Sequence, residues 1–172
     1  MERNPVPNGY VPTDAFRLAM RQLASGVTLI TTGEESDRRG ITATAVCSLS
    51  TEPPSLLACV NRHGESFAAI ERNRCFCVNI IAAEQKALAQ RFAGQGGLRG
   101  VQRFAGIEWT LLATGAPVLT SSLASFDCEL VETVHRATHA IFIGGVRAVR
   151  ISTDQRPLVY QAGDYHTITD LM

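Results

Sequence analysis

The chain has 172 residues, 45% hydrophobic and 19% charged, with Lys plus Arg and Asp plus Glu balanced at 16 each. That length suits one domain burying roughly 70% of its unfolded surface, the zero net charge excludes the basic footprint of a nucleic-acid binder, and no apolar run approaches the ~18 residues of a membrane span. The start, Met-Glu-Arg-Asn-Pro-Val-Pro, has no apolar signal core, and five cysteines without a Cys-x-x-Cys pair read as reduced structural thiols, so a cytoplasmic protein is expected.

Residues 1–12 carry three prolines and a glycine and are expected to form an irregular arm, followed by a single domain over 13–172. Thr13 or Asp14 can cap a helix whose apolar face is Phe16, Ala19, Met20 and Leu23, and Gly26 ends it. Val27 to Thr32 is β-branched and reads as a strand. Gly33 through Gly40 is a charged connection, so 27–32 and 41–51 are expected to form a hairpin. Leu56 to Val60 is a third strand, Ser66 to Asn73 a short helix, and Cys75 to Ile81 a fourth strand. Glu84 to Phe92 favours helix. Residues 94–100, Gly-Gln-Gly-Gly-Leu-Arg-Gly, form a glycine-rich loop without the Gly-Lys-Ser/Thr of a phosphate-binding loop. Ser122 to Val134 and His139 to Ile151 are long strands around an Arg136-Ala137-Thr138 turn, and Leu158 to Tyr160 is a last short strand. Six or seven strands with two or three short helices point to a mainly β barrel rather than a layered α/β fold.

The chemistry is concentrated in residues 41–62. Thr42, Thr44, Ser48 and Ser50 share parity along one extended segment, so on an unbulged strand all four face one side. Short hydroxyls and bare backbone over Thr42-Ala43-Thr44-Ala45 suit a planar polar ring lying against the strand. Asn61 and Arg62 end the next strand after the Pro53-Pro54 break, and Ser66 starts a helix whose free N–H groups attract anions. Taken singly, these are ordinary surface residues; in order, they make a path from a ring to a phosphate. His139 opens a strand after a turn, a position equally suited to a structural side chain. The other histidines are too scattered for a metal site. Gly-x-Ser-x-Gly and Gly-x-Gly-x-x-Gly are absent, which excludes a nucleophile elbow and a Rossmann domain.

Ordered blocks across residues 13–168 resemble the short-chain NAD(P)H:flavin oxidoreductases, the flavin reductase components of two-component monooxygenases. The most specific is Gly40-Ile41-Thr42-Ala43-Thr44-Ala45-Val46-Cys47-Ser48-Leu49-Ser50 followed by Pro53-Pro54. Asn61-Arg62, Asn73-x-x-Phe76-Cys77-Val78-Asn79, Arg91-Phe92-Ala93-Gly94, Ser125-Phe126-Asp127-Cys128, Thr138-His139-x-Ile141-Phe142-x-Gly144 and Tyr165-His166 follow in order. The resemblance is closest to reductases of hydroxyphenylacetate-type monooxygenases and of pyrimidine degradation.

It implies an FMN-binding split β-barrel of Greek-key type, working as a homodimer. FMN or FAD would be held by Thr42, Ala43, Thr44, Ala45, Ser48, Ser50, Val60, Asn61, Ser66, Phe92, Ala93 and Gly94, and nicotinamide from NADH or NADPH would stack near His139 and Tyr165. Many members of this family carry Gly-Asp-His where this chain has Ala137-Thr138-His139. The implied activity is hydride transfer from nicotinamide to flavin, with His139 orienting the nicotinamide and reduced flavin supplied to a partner monooxygenase. Two alternatives keep the fold: a flavoprotein passing electrons to another bound acceptor such as a corrinoid, or a non-enzymatic flavin-binding module.

Overall fold

Alternating apolar segments pair into one seven-stranded antiparallel sheet in the computed structural model, which describes residues 9–152 and 155–169. Its strands are β2 (Thr28–Thr32), β3 (Arg39–Ala43), β4 (Val46–Thr51), β5 (Pro54–Asn61), β6 (Cys75–Ile80), β9 (Ala124–Arg136) and β10 (His139–Ile151), in the spatial order β3-β2-β6-β9-β10-β5-β4. A small sheet joins β1 (Ser25–Gly26), β11 (Leu158–Gln161) and β12 (Asp164–Thr167), and β7 (Trp109–Leu111) pairs with β8 (Pro117–Leu119). Three α-helices, α1 (Thr13–Met20), α2 (Glu65–Asn73) and α3 (Lys86–Phe92), and three short 3-10 turns, Glu35–Asp37, Ala83–Gln85 and Gly100–Phe104, complete the described elements. The mainly β architecture matches expectation. The strands that sequence reading missed are short: β1, β7, β8 and β12 have two to four residues each, too few for a visible period-2 pattern.

β2 is buried along its whole length. Its Ile30 packs with Phe76, Phe142, Val60 and Ile70 on one face, and Leu29 packs with Ile81, Phe92, Phe104 and Leu119 on the other. Burial on both faces explains why its sequence is a continuous β-branched run rather than an alternation. Within the second layer, Asn79 is fully buried and saturated. Its Nδ2 donates to Leu29 O and Thr31 Oγ1, both at 3.1 Å, and its Oδ1 accepts from Leu119 N and Ser125 Oγ, both at 2.8 Å. One side chain thus ties β2, β8 and β9 to β6.

The expected 41–51 strand is two strands. β3 ends at Ala43 and β4 begins at Val46, and these are the opposite edges of the seven-stranded order. Two residues, Thr44 and Ala45, therefore connect one edge to the other. Three Cα–Cα steps reach no further than roughly 11 Å, so the sheet has to curl until its edges meet there, with no ladder between β3 and β4. A register shift between Ser48 and Ser50 adds a second break, because Ser48 opposes Leu56 and Ser50 opposes Ser55. The common parity expected for Thr42, Thr44, Ser48 and Ser50 is therefore lost.

α1 buries none of its residues. Phe16 and Met20 are 56% and 47% exposed, and Leu23, expected on the same face, lies past the helix end and is 59% exposed; the helix stops at Met20, and Gly26, expected to end it, belongs to β1. Most of the arm expected over 1–12 lies outside the described residues.

Candidate functional site

Three concavities meet at Thr44. The largest, about 660 Å3, lies between β4, β5 and the inner face of the curled sheet. Thr44, Cys47, Ser48 and Ser50 rim it, and its walls are apolar: Leu56, Val78, Phe126 and Val146. A second, about 350 Å3, is bounded by Thr42, Ala43 and Thr44 on one side and Gln90, Ala93 and Gln95 on the other, with Tyr160, Asp164 and Tyr165 as its third wall. A third, about 300 Å3, lies under α1 against Phe16, Met20 and Leu23, and again reaches Thr44 and Tyr160. The missing ladder between the sheet edges leaves this space: where β3 and β4 stop pairing, backbone and short side chains face cavities instead of a neighbouring strand.

The tyrosine wall comes from a tight turn. Ala162 and Gly163 take φ of +53° and +92°, folding β12 back on β11 so that Tyr165 opposes Tyr160. Their rings pack edge to face at 5.2 Å. Lys86 Nζ lies 5.6 Å from the centre of the Tyr165 ring and 3.3 Å from Asp164 Oδ1. Asp164 is held below the usual carboxylate range, first by the Tyr165 N–H at 2.7 Å and then by Lys86. The Tyr165 phenol is pushed up, chiefly by burial and then by Tyr160 and Asp164. At neutral pH this wall offers a neutral phenol and an ionised carboxylate. Across the cavity, Thr42 Oγ1 donates to Ala89 O at 2.6 Å, fastening β3 to α3.

The residues singled out in the sequence fall in two cavities, the core, the far end of β5 and, for Ala45 and Gly94, outside all of these. Thr42, Ala43, Thr44, Ala93 and Tyr165 share the polar cavity. Thr44, Ser48 and Ser50 share the large one. Ser50 is already engaged: its hydroxyl accepts from Glu52 N at 3.0 Å and lies 3.1 Å from Glu52 O. Ala45 O accepts from Cys59 N, and Gly94 follows at a φ of +93° in the glycine-rich loop. Val60 and Phe92 are core residues, 2% and 0% exposed, and Ser66 is buried in the first turn of α2.

Asn61 and His139 oppose each other at the far end of β5. Asn61 Oδ1 accepts from His63 N, and His139 Nδ1 lies 2.9 Å from Thr138 Oγ1. Along β5, Asn61 lies three residues, roughly 10 Å, beyond Ala58, which opposes Val46 at the large cavity. Within one chain His139 lines neither of the two larger cavities.

Sequence reading missed Cys47, Gln90, Gln95, Tyr160 and Asp164. Gln90 and Gln95 flank the Arg91-Phe92-Ala93-Gly94 block and Asp164 precedes Tyr165, so proximity was their only signal. The cysteines divide by depth. Cys47 is exposed at the large cavity, whereas burial raises the Cys77 thiol well above its ordinary value and lifts Cys128 to about 12.

The family model for the flavin reductase like domain matches residues 20–169, a span that includes the large and the polar cavity. The FMN reductase (NADH) RutF 2 of Methylorubrum extorquens is 41% identical over 158 residues, covering 92% of this chain and 91% of that protein. Nitrilotriacetate monooxygenase component B from Mycobacterium thermoresistibile superposes with a TM-score of 0.82 at 33% identity, covering 91% and 86% of the two chains. The NADH:FAD oxidoreductase SgcE6 of Streptomyces globisporus, solved with NAD and FAD fragments, gives a TM-score of 0.81 at 26% identity over 90% and 91%.

Proposed function

Because the chain belongs to the flavin reductase like domain family, we propose that it is an NADH-dependent flavin reductase acting on FMN or FAD. The observation that carries this reading is the meeting of a large apolar cavity and a smaller polar one at Thr44, inside the span the family covers. The chemistry of the lining fits a flavin. Leu56, Val78, Phe126 and Val146 suit the faces of a flat ring, and the Thr44 and Ser48 hydroxyls, which have no partner among the described residues, suit its polar edges. Flavin, when bound, supplies the redox chemistry, and the protein's part is to bind, orient and shield. Thr42 to Ala45 would hold the ring, Ser48 its polar edge, and the Tyr160–Tyr165 wall a second ring beside it. NADH is favoured as reductant by the activity named for the Methylorubrum relative.

The finer architecture we propose is a split barrel, a single domain over 13–172 whose split is the unpaired junction at 44–45. The uncovered apolar stripe of α1 is the argument for a homodimer, since isologous pairing is the commonest way to bury such a face. His139 retains its assignment to the nicotinamide side, with Asn61 and Ser66 near the phosphates. His139 lines neither of the larger cavities within one chain, so in this role it meets the part of the nucleotide that extends beyond them. The named role of the Mycobacterium protein as a monooxygenase component favours a partner oxygenase that takes the reduced flavin. No described helix is long and apolar enough to cross a membrane, and we place the protein in the cytoplasm.

The test is an absorbance and fluorescence titration with FMN and FAD, then anaerobic NADH. Binding followed by bleaching is expected; absence of any flavin binding at micromolar protein rejects the reading. Two variants refine it. Ser48→Ala should weaken flavin about tenfold, the cost of one hydrogen bond to a polar or charged group, and Ser50→Ala should weaken it less, because the Ser50 hydroxyl serves Glu52. Equal losses in the two titrations would contradict this ranking. His139→Ala should raise the KM for NADH several-fold while the flavin Kd and the thermal melt stay near wild type. A lowered melt with unchanged NADH dependence would return His139 to a structural role.

A further inference from the structure

The glycine-rich loop 94–100 is not a free surface loop. Its carbonyls and N–H groups are tied to the body of the protein by two side chains that touch neither large cavity. The guanidinium of Arg103, whose side chain is 14% exposed, reaches three backbone oxygens on three elements. Nη1 donates to Gly40 O on β3 at 3.1 Å and lies 3.4 Å from Phe92 O at the end of α3, while Nε donates to Leu98 O in the loop at 3.0 Å. Glu65, at the start of α2, completes the tie. Its Oε1 accepts from Gly100 N at 3.0 Å and lies 3.9 Å from Arg103 Nη1, and its Oε2 lies 3.4 Å from Arg39 Nε.

The elements joined in this way are the walls of the polar cavity. β3 supplies Thr42 and Ala43, with Thr44 just past its end, α3 supplies Gln90 with Ala93 at its end, and the loop supplies Gln95. A close approach sets how near they stand. A Cβ at Gly40 would lie 2.5 Å from the Phe92 ring, so glycine there lets β3 sit directly against the end of α3. Phe92 is in turn backed by Phe104 at 5.1 Å. The aromatic contact prevents the walls from closing further, and the Arg103 fork prevents them from opening.

We propose that Arg103 is a positioning residue for flavin binding, which fixes β3, α3 and the glycine-rich loop relative to one another and so sets the width of the polar cavity. This rests on the flavin reductase reading above. A planar guanidinium spans several carbonyls at once, whereas an ammonium is a point charge on a flexible stem. Arg103→Lys therefore keeps the charge facing Glu65 and loses the fork.

The experiment compares wild type, Arg103→Lys and Glu65→Ala as full chains. Readouts are FMN titration by fluorescence, NADH oxidation at saturating FMN, thermal melting, and limited proteolysis within 94–100. Arg103→Lys is expected to bind FMN about tenfold more weakly, to be cleaved faster in the loop, and to keep kcat at saturating FMN within about twofold of wild type with a similar melt. Wild-type affinity in a folded Arg103→Lys protein overturns the proposal, as does a loss of kcat without loss of affinity. Should Arg103→Lys melt early, Glu65→Ala decides. It frees Gly100 N–H and unpairs Arg103 from an exposed carboxylate, and FMN affinity has to fall at least threefold with an unchanged melt. Unchanged affinity overturns the proposal. Wild-type protein that binds neither FMN nor FAD sinks the flavin reading itself, a result distinct from wild-type protein that binds flavin while both variants match it.

Discussion

Asn79→Leu is expected to destabilise the fold by about 1–3 kcal/mol, the cost of an orphaned buried polar group, the largest stability loss from any single substitution discussed for this chain. Leucine has the same number and branching of side-chain heavy atoms as asparagine, so the loss is chiefly one of polarity rather than shape. Asn79 is fully buried and meets Leu29 O, Thr31 Oγ1, Leu119 N and Ser125 Oγ at 2.8–3.1 Å. Thr31 and Ser125 have other partners, since Thr31 Oγ1 also donates to Pro117 O and Ser125 Oγ also faces Ser122 Oγ. Leu119 N loses its partner outright, and each orphaned buried group costs roughly 1–3 kcal/mol. Against a total stability of about 5–15 kcal/mol, that is a large fraction. Urea unfolding of the two proteins checks the number, and a shift below about 1 kcal/mol would show that the network repacks. Asn79→Asp separates the terms: it keeps the acceptors for Leu119 N and Ser125 Oγ but removes the two donors and introduces a buried carboxyl, so its stability should fall further as pH rises and the group ionises.

Thr44→Trp is expected to remove flavin binding, with affinity lower by about a hundredfold or more, roughly 2.7 kcal/mol, while the melt stays near wild type. Thr44 is exposed, sits between β3 and β4, and lines all three concavities. It makes no backbone ladder that an indole would break, and a bulky ring there fills the one point the cavities share. The measurement is FMN and FAD fluorescence titration beside a thermal melt. Wild-type affinity in a folded Thr44→Trp protein would move the flavin away from the 44–45 junction altogether. Thr44→Ser is the companion variant. It keeps the hydroxyl in a smaller side chain and should bind flavin within a few-fold of wild type, so failure of both variants would point to the backbone rather than to blockage.

The family and the chemistry were legible in the sequence because both live in local order. The run from Gly40 to Ser50, the Asn61-Arg62 pair and the Arg91-Phe92-Ala93-Gly94 block are contiguous, and contiguity survives without coordinates. The long strands at 124–136 and 139–151 were readable for the same reason, since thirteen residues give a periodic pattern room to repeat. Helix α1 was readable as an amphipathic stripe, but the stripe cannot say that nothing in the same chain covers it.

What only the tertiary structure decided is where the chain stops pairing with itself. Residues 41–51 look like one strand because every residue in them accepts an extended backbone. Pairing partners, not local preference, break that segment at Thr44-Ala45 and send its halves to opposite edges of the sheet. That break creates the cavities and scatters the hydroxyls that parity would have aligned. The same is true of Asp164, Gln90 and Arg103. Asp164 and Gln90 meet at one cavity across tens of residues, through a turn and a helix end, and Arg103 reaches Gly40, Phe92 and Leu98 through a fork of hydrogen bonds. Sequence spacing carries no record of such meetings, because they are fixed by the packing of Phe92 against Gly40 and by the curl of a sheet whose edges are two residues apart.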